Sequence, residues 1–211
     1  DFYYRGLIGA VRDLNSDLQL TIVHADAPTL LRNFETKYPH EQAHIYLELT
    51  QRLESAGAEA VAITSIGGHF CIEEFRPLSP LPIIDLIETM DGYLEGQDFK
   101  SVGLLGTNTV MRSKFYGGIQ SCQVVIPPEQ DVETIHQAYV GMALDAAATQ
   151  QQRDIMFSEG QKLVDRGAET VLLGGTDLFL AFDGHDPGFA TIDCAKVHID
   201  AIAQLASGHS I

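Results

Sequence analysis

One helix-to-strand junction of this sequence occurs twice, and this repeat restricts the possible folds more than any other feature. Residues 52–63 (Arg-Leu-Glu-Ser-Ala-Gly-Ala-Glu-Ala-Val-Ala-Ile) align with residues 162–173 (Lys-Leu-Val-Asp-Arg-Gly-Ala-Glu-Thr-Val-Leu-Leu), with five of twelve positions identical at an offset of 110. One such match could reflect only the local preferences of helix–glycine–strand junctions. Two further pairs of segments are similar and occur in the same order at similar offsets: residues 2–7 with 114–119, and residues 84–85 with 192–193. The three together predict two homologous halves.

Short apolar runs alternate with amphipathic segments along the whole chain, which predicts a parallel sheet covered by helices. The predicted strands are residues 18–23, 59–64, 82–85, 102–105, 122–126, 170–173 and 189–192. The predicted helices are residues 38–56, 86 to about 94, 111–116, about 129–147, 151–166 and 194–206, and glycines 57 and 167 close two of them. We therefore predict an α/β fold of two α/β/α halves, related by a pseudo-two-fold axis, with a cleft between them.

The two predicted halves differ in their N-terminal segments. Residues 97–194 form the second half, and residues 1–96 form the first, completed by residues 195–211. The second half begins with Ser-Val-Gly-Leu-Leu-Gly-Thr-Asn-Thr before its Phe-Tyr pair, whereas the first has Phe-Tyr-Tyr almost at residue 1. The comparison leads us to expect that a strand and its glycine-containing loop are missing from the front of the first half.

The charge of the chain argues against several classes of partner. With 13 Lys and Arg against 29 Asp and Glu, the formal net charge is −16, which repels nucleic acids and anionic membrane surfaces. Cys71, Cys122 and Cys194 are odd in number and lack metal-ligand spacing, so we expect reduced thiols and no metal. Cys71 and Cys194 read best as small buried apolar residues. With no secretory leader or membrane-spanning run in the sequence, we expect a soluble, cytoplasmic protein.

Polar and glycine residues follow four of the predicted strands. They are the segments 65–69 (Ser-Ile-Gly-Gly-His), 106–109 (Gly-Thr-Asn-Thr) and 174–177 (Gly-Gly-Thr-Asp), and Asp193 with His198 downstream. Ligands of open parallel sheets bind beyond the carboxyl ends of the strands, and backbone N–H groups at such ends bind anions. Glycine also serves tight turns for purely geometric reasons. Four such ends together predict a site for a small carboxylate.

Residues 57–69, 102–116, 167–177 and 192–198 form four segments that together resemble the aspartate/glutamate racemases, a family of cofactor-independent enzymes. Residues 102–116 look like the opening of the family's second domain, and residues 57–69 are similar to its Cys-Asn-Thr-Ala-His segment. Residues 167–177 resemble its Gly-Cys-Thr-Glu segment, and residues 192–198 its closing Asp-Thr-x-x-x-His. The resemblance implies a small amino acid or carboxylic acid as ligand, no cofactor and a homodimer.

The resemblance also implies that the family's chemistry is altered here. Family members use two cysteines on opposite walls of the cleft, one to remove the α-proton and the other to deliver one. Ser65 stands at the first of these positions and Gly175 at the second, while Ile66-Gly67 replaces the Asn-Thr pair and Val110 replaces a threonine. We predict Ser65, His69 and Asp177 as catalytic residues. The predicted ligand-binding residues are Gly67, Gly68, Thr107, Asn108, Thr109, Gly175, Thr176 and His198.

Each predicted catalytic residue also has a structural interpretation. Ser65 is either a hydroxyl activated by His69 or an N-cap, and His69 either an acid/base or a buried structural histidine. Asp177 is either a base or a carboxylate that stabilises a helix N-terminus. Arginines are candidates for gripping a distal carboxylate, and the sequence does not choose among Arg5, Arg32, Arg76 and Arg153.

Two classes of function stay open. The first is an isomerase of the racemase family that uses non-thiol groups, with a lyase or decarboxylase as a variant that needs one proton donor. The second is a non-catalytic relative that binds a carboxylate or a protein partner in the predicted cleft, where racemases of the family bind their substrate.

Overall fold

A computed structural model describes residues 1–208, and its contacts divide the chain into two compact units. Unit 1 comprises Asp1–Leu86 together with the segment from Ile199 onward, and unit 2 comprises Ile87–His198. The predicted boundaries, 96/97 and 194/195, stay a prediction. Residues 209–211 of the predicted C-terminal segment lie outside the described residues.

Unit 1 is mostly helical, with a small parallel sheet. Its elements in chain order are α1 (Phe2–Asp13), α2 (Ala27–Glu35), α3 (Pro39–Ser55), β1 (Val61–Ala62), a 3₁₀ turn (Gly67–Cys71), α4 (Ile72–Phe75) and β2 (Ile83–Ile84). Strands β1 and β2 pair in parallel. Helix α5 (Leu86–Gln97) then leads into unit 2.

Unit 2 has a four-stranded parallel sheet in the order β4-β3-β5-β6. Its elements are β3 (Ser101–Gly106), α6 (Asn108–Arg112), β4 (Gln123–Val125), α7 (Glu129–Asp145), α8 (Gln150–Asp165), β5 (Thr170–Gly174), a 3₁₀ turn (Thr176–Leu178), α9 (Phe179–Phe182), β6 (Thr191–Asp193) and α10 (Cys194–Ala206), which continues into unit 1. All five residues of β5 are buried, as expected for a strand inside a parallel sheet. The predicted α/β class with parallel sheets is confirmed.

The two sheets pair equivalent residues in the same register. Val61 pairs with Ile83 in unit 1, and Val171 pairs with Thr191 in unit 2. Val61 and Val171 are the aligned valines of the repeated segment. The glycines that end the two preceding helices also match, because Gly57 (φ +88°) and Gly167 (φ +98°) both adopt the left-handed conformation that closes helices. The repeat is therefore visible in the backbone as well as in the sequence.

The core of unit 2 lies between the sheet and helices α7 and α8. Leu105 and Val171 come from the strands, and Ile135, Met142 and Leu163 from the helices; all five are fully buried. This packing fixes the carboxyl ends of β3 and β5, where the candidate site lies. None of the helices in the described part of the chain is long and apolar enough to cross a lipid bilayer.

Two predicted elements were wrong. Residues 18–23 form no strand, because no described segment pairs with them, and Leu20 (40% exposed) and Ile22 (67%) face solvent. The predicted helix 111–116 begins earlier, at Asn108, and ends at Arg112. Lys114, Phe115 and Tyr116 then adopt positive φ angles of 51–59°, and burial of the Phe115 ring offsets the cost of that backbone. Helix α2 was not predicted at all.

Candidate functional site

The carboxyl ends of β3 and β5 approach each other closely through two glycines. Gly106 and Gly174 are partners in the strand register. A Cβ added to Gly106 would lie 2.6 Å from the Gly174 carbonyl oxygen, and one added to Gly174 would lie 2.8 Å from the Leu105 carbonyl oxygen. The Val110 side chain lies against both glycines, within 3.0 Å of either added Cβ. A side chain at either position would clash with the neighbouring backbone and with Val110, which explains why both residues are glycine.

The three polar residues after β3 are tied to one another and to α7. Thr107 caps α6 by accepting a hydrogen bond from the Val110 N–H (3.4 Å). The Asn108 N–H donates to Nδ1 of His136 (3.4 Å), and the Thr109 hydroxyl donates to the Asn108 side-chain oxygen (3.2 Å). The structure thus brings the predicted residues Thr107, Asn108 and Thr109 together and adds His136, which the sequence analysis missed. Their contact with a ligand stays a prediction.

The position after β5 is occupied by the side chain of a different residue. Gly175 has an extended backbone (φ −167°, ψ 130°) that any residue can adopt. A Cβ added to it, however, would lie 2.8 Å from Cζ and 2.9 Å from the hydroxyl oxygen of Tyr139. Gly175 is therefore needed for space rather than for conformation, because the Tyr139 phenol fills the volume that a side chain would enter.

Tyr139 connects this position to the predicted catalytic carboxylate. Its hydroxyl donates to Oδ2 of Asp177 at 3.2 Å. Burial is the main cause that raises the pKa of Tyr139, and the charge and hydrogen bond of Asp177 raise it further. The phenol consequently keeps its proton. Asp177 and Thr176 lie in the 3₁₀ turn that directly follows Gly175.

Sequence reasoning missed Tyr139 because it lies in helix α7, far from any strand end. It follows Ile135 by four residues and precedes Met142 by three, so it reads as part of the apolar stripe of that helix. The sequence signal that could have indicated Tyr139 is the glycine at position 175. A glycine directly after a buried strand suggests that a side chain from elsewhere occupies the place of its missing Cβ.

In unit 1, Ser65 caps the turn that follows β1. Its Oγ accepts a hydrogen bond from the Gly68 N–H at 3.2 Å, and the residue is exposed. A Cβ on Gly68 would lie 2.6 Å from the Tyr46 hydroxyl, which donates to the Gly68 carbonyl oxygen (3.2 Å). Gly67 precedes it in the same turn. This arrangement favours the capping interpretation of Ser65, while its hydroxyl stays accessible.

Backbone groups hold both ring nitrogens of His69. The Leu86 N–H donates to Nε2 (3.4 Å), so the ring proton belongs on Nδ1, which donates to the Ser65 carbonyl oxygen (2.7 Å). The residue is 1% exposed. The pKa of His69 is lowered, chiefly by burial, and the charge of Arg76 lowers it further. The hydrogen bond to the Ser65 carbonyl and the charge of Asp85 raise the pKa, but by less than burial lowers it. This geometry favours the structural interpretation of a neutral histidine that joins β1 to the start of α5.

The remaining predicted residues lie where β6 enters α10. Oδ1 of Asp193 accepts hydrogen bonds from the N–H groups of Ala195 (2.9 Å) and Lys196 (3.3 Å), so it caps the helix, and burial raises its pKa. His198 is fully buried within α10, so a ligand reaches it only through a rearrangement of its surroundings.

No cysteine of the described chain provides a ready thiolate. Burial is the main cause that raises the pKa of Cys71, to about 12. Burial also raises the pKa of Cys122 and of the fully buried Cys194. A thiolate is the reactive form of cysteine, so the three thiols are poorly suited to proton abstraction near neutral pH.

Three of the candidate arginines already have partners. The Arg76 guanidinium donates to Oδ2 of Asp85 (2.8 Å), whose side chain is 1% exposed. Nε of Arg153 donates to the Ala181 carbonyl oxygen (3.1 Å), and Arg5 pairs with Asp1 (3.0 Å).

A groove of about 480 Å³ lies along α7 and the start of α8. Its lining residues include Glu133, Gln137 and Gln152. None of the predicted site residues lines it. The candidate site is therefore defined by side chains at the strand ends and not by this groove.

Ser65 belongs to unit 1 and Gly175 to unit 2. Gly175 directly follows β5, and Ser65 lies three residues after the end of β1; the offset of 110 in the repeated segment aligns the two positions. That they face one another across a cleft stays a prediction.

Comparisons with known proteins agree with the resemblance drawn from the four segments. A protein from Yersinia pestis assigned as an Asp/Glu racemase shares the fold with a TM-score of 0.85 at 20% identity, covering 97% of this chain and 92% of that one. An aspartate racemase homologue from Pyrococcus horikoshii gives 0.80 at 22% identity, covering 98% and 92%. The aspartate racemase of Picrophilus torridus gives 0.71 at 17% identity, covering 100% and 91%. The model of the Asp/Glu/hydantoin racemase family matches residues 2–202, and the chain belongs to this family.

Proposed function

We propose that this protein is a cofactor-independent, isomerase-like enzyme that acts on a small amino acid or carboxylic acid without the family's pair of thiols. Membership of the racemase family supports this reaction class. The observation that carries the proposal is the end of β5, where Gly175 has no side chain and the Tyr139 hydroxyl donates to the Asp177 carboxylate at 3.2 Å. Oxygen groups there take the place of sulfur.

The chemistry asks for a base that removes the proton at Cα and an acid that returns one. A serine hydroxyl is a weak base unless another group activates it, and the ring nitrogens of His69 are held by the backbone. Asp177 is the carboxylate placed beside the bare Gly175 position. We assign the base role to Asp177, and a role in ligand contact to the exposed Ser65 hydroxyl.

The strand ends supply a place for the ligand's carboxylate. The carboxyl ends of β3 and β5 lie side by side at Gly106 and Gly174, and backbone N–H groups that follow such strand ends can bind an anion. Thr107 and Thr176 follow these glycines. The proposal places the ligand carboxylate among these groups, with its Cα toward Asp177.

The proposal extends to the setting of the protein. Reduced thiols and a formal charge of −16 support a cytoplasmic protein that binds neither nucleic acid nor membranes. The family resemblance supports a homodimer.

Solvent-deuterium incorporation at Cα, measured by mass spectrometry across a panel of amino acids in D₂O, tests the proposal. We expect exchange with at least one acidic amino acid, and loss of that exchange in Asp177→Asn. A matched control is Asp165→Asn, an exposed carboxylate at the end of α8, which should exchange at the native rate. Background exchange with every member of the panel would refute an isomerase.

A second candidate is a protein that binds a carboxylate without turning it over. Ser65 caps a turn, and both ring nitrogens of His69 form hydrogen bonds with the backbone. These structural roles of the two catalytic residues predicted in unit 1 favour the second candidate. Calorimetric titration with aspartate, glutamate and malonate separates the two, since binding without exchange supports this candidate. Release of carbon dioxide from substituted malonates would instead identify the decarboxylase variant.

A further inference from the structure

Tyr139 occupies the place that a side chain at position 175 would need. Its ring and hydroxyl lie 2.8 and 2.9 Å from the Cβ that Gly175 lacks. The ring packs against the core of unit 2, which includes the fully buried Ile135 and Met142 of the same helix, so the hydroxyl is held at a fixed place beyond β5. An O–H group thus stands where the family resemblance puts the second thiol.

We propose that the Tyr139 hydroxyl replaces the second thiol and delivers the proton from the unit 2 side, oriented by its hydrogen bond to Asp177. This assignment rests on the proposed function and names the donor in it. Tyr139 is then a catalytic residue, and Asp177, the proposed base, orients it through their hydrogen bond. The two groups therefore remove and return the proton on one face of Cα, which accounts for exchange of the α-proton; inversion needs a second donor on the opposite face.

The surroundings of Tyr139 keep its hydroxyl protonated, so that it has a proton to donate and cannot abstract one. Burial and the adjacent carboxylate disfavour the phenolate, so the group enters the reaction protonated at neutral pH. A cysteine thiol, with an ordinary pKa of about 8.5, can serve in either direction. Tyr139 therefore acts only as a donor, and Asp177 beside it supplies the base.

The step balances as a simple proton transfer. The O–H bond of Tyr139 breaks, and the electron pair of the substrate carbanion forms the new Cα–H bond. Tyr139 is left as a phenolate beside Asp177. Asp177, protonated when it removed the proton from Cα, then passes a proton to the phenolate oxygen across their hydrogen bond, and both groups exchange with solvent before the next turnover. No oxidant, reductant or cofactor is required.

The experiment combines two readouts on the full chain. The first is the NMR signal of tyrosine labelled with ¹³C at Cζ; the chain has seven tyrosines, and Tyr139→Phe assigns the signal of interest. Malonate, L-aspartate and D-aspartate are the probes. The second readout is deuterium incorporation at Cα by native protein, Tyr139→Phe and the control Tyr93→Phe. Tyr93 is 39% exposed in helix α5, and its hydroxyl has no part in the proposal.

We expect a probe to move the Tyr139 signal and leave that of Tyr93 in place. We also expect Tyr139→Phe to lower exchange by at least about 10²-fold, the usual size of an acid/base contribution, with Tyr93→Phe at the native rate. Asp177→Asn should shift the Tyr139 signal of the ligand-free protein, because it removes the carboxylate that accepts the hydrogen bond of the phenol.

The other outcomes overturn the assignment in distinguishable ways. Native exchange that persists in Tyr139→Phe would reject Tyr139 as the donor and leave the proposed function standing. A probe-dependent Tyr139 signal without exchange in the native protein would reject the proposed function and, with it, the proton delivery. A Tyr139 signal that no probe moves would reject a ligand-facing hydroxyl.

Discussion

Gly175 and Tyr139 show how one small residue can depend on a distant large one. Their positions are 36 residues apart in sequence, yet the phenol fills the space beside the glycine. Because protein interiors are close-packed, a side chain cannot be added at 175 while Tyr139 stays in place. A cysteine at position 175, where the family resemblance places one, would therefore require a second change at Tyr139.

Gly175→Ala should destabilise the protein by about 1–3 kcal/mol, the usual cost of overpacking, and Tyr139→Ala in the same chain should reduce that penalty. Urea unfolding of the two single variants and the double variant measures the coupling. Gly92→Ala is the control, since a Cβ there meets nothing within 4 Å and alanine suits a helix better than glycine. Additive effects of the Gly175 and Tyr139 changes would contradict the steric account.

His69 gives the stability of the fold a dependence on pH. Its pKa is lowered in the folded protein, chiefly by burial, whereas the unfolded chain has the ordinary value of about 6.5. Below that pH the unfolded state takes up a proton that the folded state resists, so the free energy of unfolding falls as the pH drops, by up to ~1.4 kcal/mol per pH unit for this group.

Urea unfolding between pH 7.5 and 5.5 checks this expectation. His69→Gln keeps a donor and an acceptor but does not titrate, so its stability should fall less than that of the native protein across the range. Equal pH dependence of the two proteins would show that His69 is not a buried neutral histidine.

Local sequence patterns predict the helices and inner strands of this fold, but they fail for segments at its edge such as residues 18–23. Helix α10 has the predicted bounds, Cys194–Ala206, and α3 differs from its prediction by one residue at each end. Local patterns specify these elements, because apolar residues recur on one face and glycine closes the ends. Residues 18–23 have a strand-like pattern, but a strand requires a neighbour to receive its hydrogen bonds, and a local pattern does not show whether one is present.

The same physics limits what the sequence says of the site. Thr107, Asn108, Thr109, Thr176 and Asp177 were predicted because they directly follow apolar strands. Tyr139 and His136 were missed because tertiary packing alone brings helix α7 to the strand ends.

A matched pair of substitutions tests the correction at residues 18–23. Ile22→Thr should change the free energy of unfolding by less than about 0.5 kcal/mol, since the side chain is 67% exposed. Val124→Thr should cost about 1–3 kcal/mol, because it buries a hydroxyl in strand β4, where Val124 is 7% exposed. Equal penalties in urea unfolding would mean that residues 18–23 are packed as a strand.

Across the whole molecule, the fold of the racemase family is combined with serine and glycine after the two strands of the repeat. The family model spans residues 2–202, and the register of the two sheets repeats between the units. Serine and glycine follow the two equivalent strands where the family resemblance places cysteine, and the chain's own three cysteines lie elsewhere. The fold is kept by packing throughout the chain, whereas the reaction depends on a few side chains, so the two can diverge separately.

The independence of the reaction from sulfur is the central claim, and a cysteine-free protein tests it most directly. The variant Cys71→Ala, Cys122→Ser and Cys194→Ala is assayed for deuterium incorporation at Cα of acidic amino acids in D₂O, beside the native protein. We predict that both proteins incorporate deuterium at the same rate. Exchange that disappears with the cysteines, or exchange by neither protein, would contradict the account.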